Sequence, residues 1–198
     1  DDESRLKLLK PLNLYGDSKQ KFDLWAQAQG VLGNLVGLKY FNVYGPNEYH
    51  KQEMQSMVRK GFLQVRDEGK LRLFKSYKPE YLDGDQERDF LYIKDAVAMT
   101  LHFLEHKNIG GIFNVGSGKA RNWNDIAKAI FAAMNKQLNI EYIEMPSEII
   151  NQYQYHTCSD TEKIHNAGYL QPVTLLENGI EDYVKEYLIP GKHLGGSK

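Results

Sequence analysis

Apolar and polar positions along the chain switch repeatedly between a helical and a strand period. Residues 18–29 set Phe22, Leu24, Trp25 and Ala28 on one side and predict a helix ended by Gly30 and Gly33. Residues 35–43, LVGLKYFNV, predict a strand stopped by Tyr44, Gly45 and Pro46. The helical period returns over 52–67, 94–106 and 124–135. Short strands are expected at 71–74, 88–93, 111–116 and 139–143, and the polar stretch 77–87, with Pro and Gly, reads as a loop. Two closing helices are expected at 160–167, opened by an Asp160 cap, and at 174–187. This alternation predicts an α/β fold rather than a bundle or a sandwich. No internal repeat or low-complexity segment interrupts it.

Charge narrows the function. With Lys plus Arg at 25 and Asp plus Glu at 26, the net charge is -1, which calls for neither nucleic acid nor an acidic membrane surface. No stretch reaches the roughly 20 apolar residues that span a bilayer. The start, DDESRLKLLKPL, lacks the basic-then-apolar order of a signal peptide. Cys158 is the single cysteine, so no internal disulfide forms; this fits a reducing, cytoplasmic compartment and predicts a small buried thiol. Tyr is frequent, at 13 residues, and suits sugar and nucleotide sites as well as cores.

Several residues could carry chemistry. YGDSK sets Tyr15 and Lys19 four apart, on one face of a helix. A free phenol, with a pKa of about 10, is a poor base at neutral pH, and a neighbouring ammonium favours the phenolate. Such a pair can take a proton from an alcohol while a nicotinamide takes the hydride, although chance alone yields roughly one Tyr-x-x-x-Lys in a chain of this composition. LKYFNVYGPNEYHK ends a strand at Asn42, turns at Gly45-Pro46 and delivers His50 and Lys51. Ligands of open α/β sheets bind beyond the carboxyl ends of strands, so Lys51 is a second acid/base candidate, weighed against a solvated loop lysine. Arg88 opens RDFLYIKDA and either binds a diphosphate through paired donors or pairs with Asp89 or Asp85; spacing leaves both open.

Other motifs read as structural. Gly30, Gly33 and Gly37 follow a helix and precede a strand, the reverse of a dinucleotide fingerprint. Gly116 and Gly118 in FNVGSGKARN lack Walker spacing and read as a turn. HFLEH, from His102 to His106, matches an inverted zinc-peptidase pattern but offers no third ligand. One histidine at the core edge and one in solvent is the better expectation, with no metal site.

Taken together, YGDSK, YFNVYGP, RDFLYIKDA and FNVGSG, in this order, resemble the extended short-chain dehydrogenase/reductase family. Within it, YFNVYGPNEYHKQEM resembles the corresponding run of ADP-glyceromanno-heptose 6-epimerases, as do KLRLFKS, QYQYHTCSD and AGYLQPVTLLENGIEDYVKEYL. The likeness runs from about residue 10 to 188. It implies oxidation at carbon six of an ADP-heptose, using tightly bound NADP, to a transient ketone that is reduced from its other face. The product would feed the lipopolysaccharide core. The resemblance implies Tyr15 and Lys51 as catalytic, with Lys19, Val43 and Lys51 toward the cofactor. It implies Asn42, Glu53, Lys60, Phe74, Lys75, Ser76, Arg88 and Tyr153 toward substrate. Gln52-Glu53 stands where many members have Gly-Ser, and Lys60 where many have His, so Glu53 and Lys60 depart from the pattern. The family's Gly-rich first half and its catalytic Ser or Thr are absent from these residues.

The expected fold is therefore the C-terminal portion of an NAD(P)-binding Rossmann fold plus a smaller α/β substrate-binding domain. Residues 1–50 would belong to the first and 51–190 mainly to the second, with 88–116 returning to the Rossmann part and 191–198 a flexible tail. The resemblance implies a homo-oligomer, often a pentamer, for the full-length protein. The 198 residues alone are expected to bind NADP poorly and not to turn over. Rival readings are another nucleotide-sugar epimerase or dehydratase, and a non-catalytic sugar-nucleotide-binding fragment.

Overall fold

The computed structural model describes residues 1–193. Among the described residues, three short sheets and seven α-helices succeed one another much as the periodicity predicts. Helix α1 (Leu14–Ala28) leads to β1 (Val36–Tyr40) and β2 (Asn42–Tyr44); α2 (Met57–Glu68) leads to β3 (Leu71–Phe74). After a loop come β4 (Glu87–Tyr92), α3 (Ile93–Glu105), β5 (Gly111–Val115), β6 (Ala120–Asn122) and α4 (Trp123–Ala133). Strand β7 (Ile140–Ile143) and helices α5 (Ser147–Ile150), α6 (Glu162–Asn166) and α7 (Leu176–Asp182) follow, and α7 runs on as a π-turn through Tyr183–Leu188.

Parallel pairing dominates. β1 lies on β5 with Leu38 opposite Phe113, β2 on β4 with Val43 opposite Leu91, and β3 on β7 with Leu73 opposite Tyr142. Among the described residues, β6 alone runs antiparallel, against β4. Residues 36–44 pair with strands drawn from 87–115, β1 in one sheet and β2 in another.

Two apolar clusters hold these layers. One joins α2, β3, α4 and α7 through Val58, Phe62, Leu71, Ile126, Ile130 and Tyr183. The other joins β4, α3, β5 and α6 through Leu91, Met99, Phe103, Phe113, Val115 and Ile164. Each fully buried Ile or Phe contributes about 1.5–3 kcal/mol. The N-termini of α1, α2 and α4 are capped by the side chains of Asn13, Ser56 and Asn122.

The structure corrects several expectations. Helix α1 begins at Leu14, not Ser18, because the Asn13 carboxamide accepts from the Gly16 amide at 2.8 Å. Its inward residues are Asp23 and Ala26; Phe22 and Trp25 are each 54% exposed and Ala28 is also outside. Asp23 turns inward because Lys39 of β1 pairs with it at 2.5 Å, and Gln20 and Gln27 donate to carbonyls of Leu6, Leu9 and Glu3. The helix expected over 52–67 starts at Met57, after a 3-10 turn over Tyr49–Met54 that breaks at Gln52. Cys158 is exposed rather than buried, since Tyr155 and Ser159 take the inward positions around it. Strand β6 carries no apolar alternation, so the periodicity missed it. Of the expected tail, residues 191–193 are described: the Lys192 amide donates to the Tyr187 carbonyl at 2.9 Å, and the His193 ring lies 4.1 Å from Tyr49. Residues 194–198 lie outside the described residues.

Candidate active site

Two clefts share a wall made of Arg88 and Tyr153. The first, about 600 Å³, is lined by Tyr15, Asn13, Lys10 and Gln152 as well. The second, about 410 Å³, is lined by Phe74, Trp123, Ile143, Met57, Lys60 and Arg72. Both volumes suit a small organic ligand.

Arg88 is placed by β4, one residue beyond its start, and is only 9% exposed. Its Nη1 donates to the Glu87 carbonyl at 2.7 Å, and its guanidinium stands 5.1 Å from the Tyr153 ring centre and 5.9 Å from that of Trp123. Burial lowers its pKa, with Tyr153 opposing, yet a guanidinium remains cationic at neutral pH. The two acidic neighbours it might have paired with are committed elsewhere. Asp89, fully buried, accepts from Ser117 amide and hydroxyl, Gly118 amide, and Ser159 amide and hydroxyl, at 2.5–3.0 Å. Asp85 accepts from Asn122 and Asn124. Arg88 therefore stands as a cation facing both clefts with its carboxylate neighbours already engaged.

Tyr153 is fixed by its hydroxyl, which accepts from Trp123 Nε1 at 3.0 Å. Burial raises the pKa of that hydroxyl, and the cationic Arg88 opposes the rise. Phe74 meets Tyr153 edge-on at 6.4 Å. The second cleft is thus walled by aromatic rings beside a cation, a surface that can hold a flat base and a neighbouring phosphate. Trp123 is the lining residue that sequence reasoning missed; its signal was the position just after the Asn122 cap, where β6 becomes α4.

Tyr15 sits in the first turn of α1 and is 68% exposed. The Lys19 ammonium lies 4.4 Å from its ring centre, so the pair does share a face. Lys19 also borders a groove with Ser18, Phe22, Gly37 and Lys39 along β1. These residues fit the ribose end of a nicotinamide cofactor: an exposed phenol and ammonium side by side, next to an open groove. Gly30, with φ of 68°, closes α1 and leads into β1, so the glycine cluster is the turn it was read as and not a pyrophosphate cradle.

The remaining candidates scatter. Lys51 is exposed in the 3-10 turn after β2 and lines neither cleft. Glu53 is exposed beside Lys60, whose ammonium donates to the Glu53 carbonyl at 2.5 Å. Lys75 pairs with Glu144 at 2.5 Å, the Ser76 amide donates to Asp83 at 2.7 Å, and neither lines the clefts. Asn42 is exposed at the start of β2, whereas Val43 packs on the β4–α3–β5 cluster. His102 Nε2 is engaged by the Ala167 carbonyl at 2.9 Å, and His106 is exposed beside it; among the described residues no group of three metal-ligating side chains converges.

Residues 1–116 match the family described as NAD dependent epimerase/dehydratase family, more than half of the chain. The chain belongs to that family. Tyr15, Lys19, Asn42, Phe74 and Arg88 lie within the matched stretch, and Trp123 and Tyr153 beyond it. A relative from Nitratidesulfovibrio vulgaris (strain DP4), named ADP-L-glycero-D-manno-heptose-6-epimerase, is 48% identical over 188 residues, covering 95% of this chain and 58% of its own length. A protein of the same name from Fusobacterium nucleatum is 43% identical, covering 95% of this chain and 59% of its own. The crystal structure of Helicobacter pylori ADP-L-glycero-D-manno-heptose-6-epimerase superposes with a TM-score of 0.73 at 30% identity, over 89% of this chain and 52% of that one. The chain thus spans less than three-fifths of the length of the curated relatives it matches. No helix among the described residues is long and apolar enough to cross a membrane.

Proposed function

We infer that this chain forms the catalytic and substrate-binding portion of an epimerase that inverts carbon six of an ADP-glycero-manno-heptose, with NADP as cofactor. The observation that carries the reading is Arg88: a buried cation, its carboxylate neighbours engaged elsewhere, at the junction of an aromatic cleft and a cleft lined by Tyr15, whose ring has Lys19 beside it. The names of the Nitratidesulfovibrio and Fusobacterium relatives supply the sugar and the base.

In this reading Phe74, Trp123 and Tyr153 enclose the adenine side and Arg88 takes the diphosphate through paired donors. Lys60 lines the same cleft, its ammonium held by Glu53 at the edge. Tyr15 accepts the proton of the sugar alcohol on one face, and Lys19, beside its ring, holds the nicotinamide ribose. The bound nicotinamide supplies hydride removal and return. Reduction from the other face needs a second proton donor, and Lys51 is assigned that part. It stands outside both clefts, so the assignment requires its turn to close over the sugar when substrate binds. Residues 1–50 and 88–116 would then form the Rossmann side and 51–87 with 117–190 mainly the sugar-nucleotide side. We expect turnover only in a polypeptide that also supplies the part of the relatives this chain does not match, and a homo-oligomer there, a pentamer by family likeness. A soluble, cytoplasmic enzyme is the matching location.

The test is a titration of NADPH and ADP-heptose followed by proton NMR of the sugar. Inversion at carbon six by a polypeptide containing this chain supports the reading. NADPH binding with ADP-heptose left unchanged would remove the substrate assignment and leave the family.

A further inference from the structure

The turn that carries Lys51 is anchored in neither apolar cluster. None of its residues from Tyr49 to Met54 is buried, and Met54 is 83% exposed. Apart from the Tyr49 ring against His193, its order comes from hydrogen bonds. At its base lies Glu48, only 5% exposed. One carboxylate oxygen accepts from the Ser56 amide at 2.5 Å and the other from the Ser56 hydroxyl at 2.6 Å. Ser56 in turn caps α2, its hydroxyl accepting from the Arg59 amide at 3.3 Å. On the core side, the Glu48 carboxylate and the Arg59 guanidinium both act on the hydroxyl of buried Tyr183, whose pKa is raised by burial and by Glu48, with Arg59 opposing. Residues 48 and 56 are thus joined through one buried carboxylate, and 49–55 form a closed excursion above it.

Inside the excursion the chain is held by short-range bonds, and from outside it the Lys60 ammonium of α2 reaches the Glu53 carbonyl and the His193 ring packs on Tyr49. The Lys51 amide donates to the Glu48 carbonyl at 3.0 Å, the Gln55 amide to the Gln52 carbonyl at 3.2 Å, and the Gln55 side chain to the Tyr49 carbonyl at 2.8 Å. Gln52, directly after Lys51, has φ 48° and ψ −120°, a conformation that favours glycine. A non-glycine residue persists there only when its surroundings over-determine it. The fixed base at Glu48 and Ser56 is the constraint that does so.

We propose that Glu48 is a positioning residue for Lys51, its buried carboxylate closing the base of the turn and so setting where the lysine ammonium stands. The part that Lys51 plays rests on the function inferred above; the clamp does not, and it is tested without turnover. Hydrogen exchange of the 198-residue chain is compared with that of Glu48→Gln, which keeps the length of the side chain but replaces one acceptor oxygen by a donor. The amides of Lys51, Gln55 and Ser56 should exchange about tenfold faster, and acetylation of Lys51 by acetic anhydride should change relative to that of exposed Lys107. Exchange in β4 and α4 should stay within twofold. Glu48→Asp, which keeps the charge but is one methylene shorter, should fall between and serves if Glu48→Gln does not fold. Tyr183→Phe removes the core-side hydroxyl that Glu48 and Arg59 both act on, and should leave the three turn amides within twofold. Unchanged turn amides in Glu48→Gln would overturn the proposal. So would an equal rise in β4 and α4, or the same turn loosening in Tyr183→Phe, either of which would make Glu48 a core residue and nothing more. Failure of the epimerisation assay would leave the clamp standing and remove only the purpose given to Lys51.

Discussion

Replacing Arg88 by Met separates a binding cation from a structural one. A structural buried ion pair loses about 3–5 kcal/mol of stability when one partner is removed, because the other charge is stranded. Arg88 strands no carboxylate: Asp89 and Asp85 keep their own donors, and what is lost is the 2.7 Å bond to the Glu87 carbonyl and the contact with the Tyr153 and Trp123 rings, which the methionine side chain partly replaces. Removing a charge that is buried to 9% exposure also relieves its desolvation. The unliganded Arg88→Met chain should therefore unfold within about 1 kcal/mol of the parent in urea. Ligand binding should respond differently. Two charge-assisted hydrogen bonds to a diphosphate, each worth about 1.5–3 kcal/mol gross, leave a net loss of about 2–3 kcal/mol once solvation of the free diphosphate is counted. That is a weakening of ADP binding by roughly 30- to 150-fold. Arg88→Lys keeps the charge but not the fork and should lose about tenfold.

The assay is ADP titration followed by tryptophan fluorescence in a Trp25→Phe background. Trp25 is 54% exposed on the outside of α1, so the remaining signal comes from Trp123, whose ring centre is 5.9 Å from the Arg88 guanidinium. ADP affinity unchanged within twofold in Arg88→Met would refute the assignment of the cleft. A stability loss of about 3–5 kcal/mol would refute the argument that Arg88 has no carboxylate partner.

Other consequences are simpler to measure. Asp89→Ala orphans buried donors from Ser117, Gly118 and Ser159 and should lower unfolding stability by about 3–5 kcal/mol in urea titration. Gln52→Gly removes a side chain from a conformation that favours glycine and should raise thermal stability by about 1 kcal/mol, the relief of strain exceeding the added chain entropy; a loss of stability would contradict the geometry. Cys158, exposed, should react with a thiol reagent in the folded chain without denaturant, though more slowly than a free thiol at pH 8, since desolvation and the nearby Asp89 raise its pKa. Tyr15→Phe should leave unfolding within about 0.5 kcal/mol, because the ring is 68% exposed, while abolishing turnover in any polypeptide that epimerises.

The elements were legible where a single period dominates. LRLF was read to the residue as β3, and α3 and α4 were each found within one or two residues, because each buries one continuous stripe. The errors fall where polar bonds override that pattern. The apolar side that periodicity gives α1 is largely uncovered, whereas Asp23, paired with Lys39, and the glutamines tied to the Glu3 and Leu6 carbonyls face the body of the protein. Periodicity reports which face is apolar; it does not report which face is covered. The break before α2 was missed because Gln52, Glu53 and Met54 have ordinary helical propensity, and only the Ser56 cap and the Glu48 clamp reveal that the helix starts later.

The site was legible by residue type and not by partnership. Spacing left Arg88 equally free to bind a ligand or to pair with Asp85 or Asp89. What decides between them is the identity of residues far along the chain. Asn122 and Asn124 take Asp85, while Ser117, Gly118 and Ser159 take Asp89. The FNVGSG segment thus has a physical purpose that a motif cannot state. Gly116 leaves room where a Cβ would meet the Ser159 hydroxyl at 2.3 Å, and Gly118 adopts φ of 73° to turn its amide onto Asp89. A turn that looks like a phosphate loop is instead the cage that engages an aspartate, and by engaging it leaves the neighbouring arginine to face the clefts. Asp89→Asn tests this coupling: with the cage loosened, Ser117 and Gly118 should exchange faster and ADP affinity should fall although Asp89 lines neither cleft. A variant with a loosened turn and unchanged ADP binding would show that the two neighbours on β4 act independently.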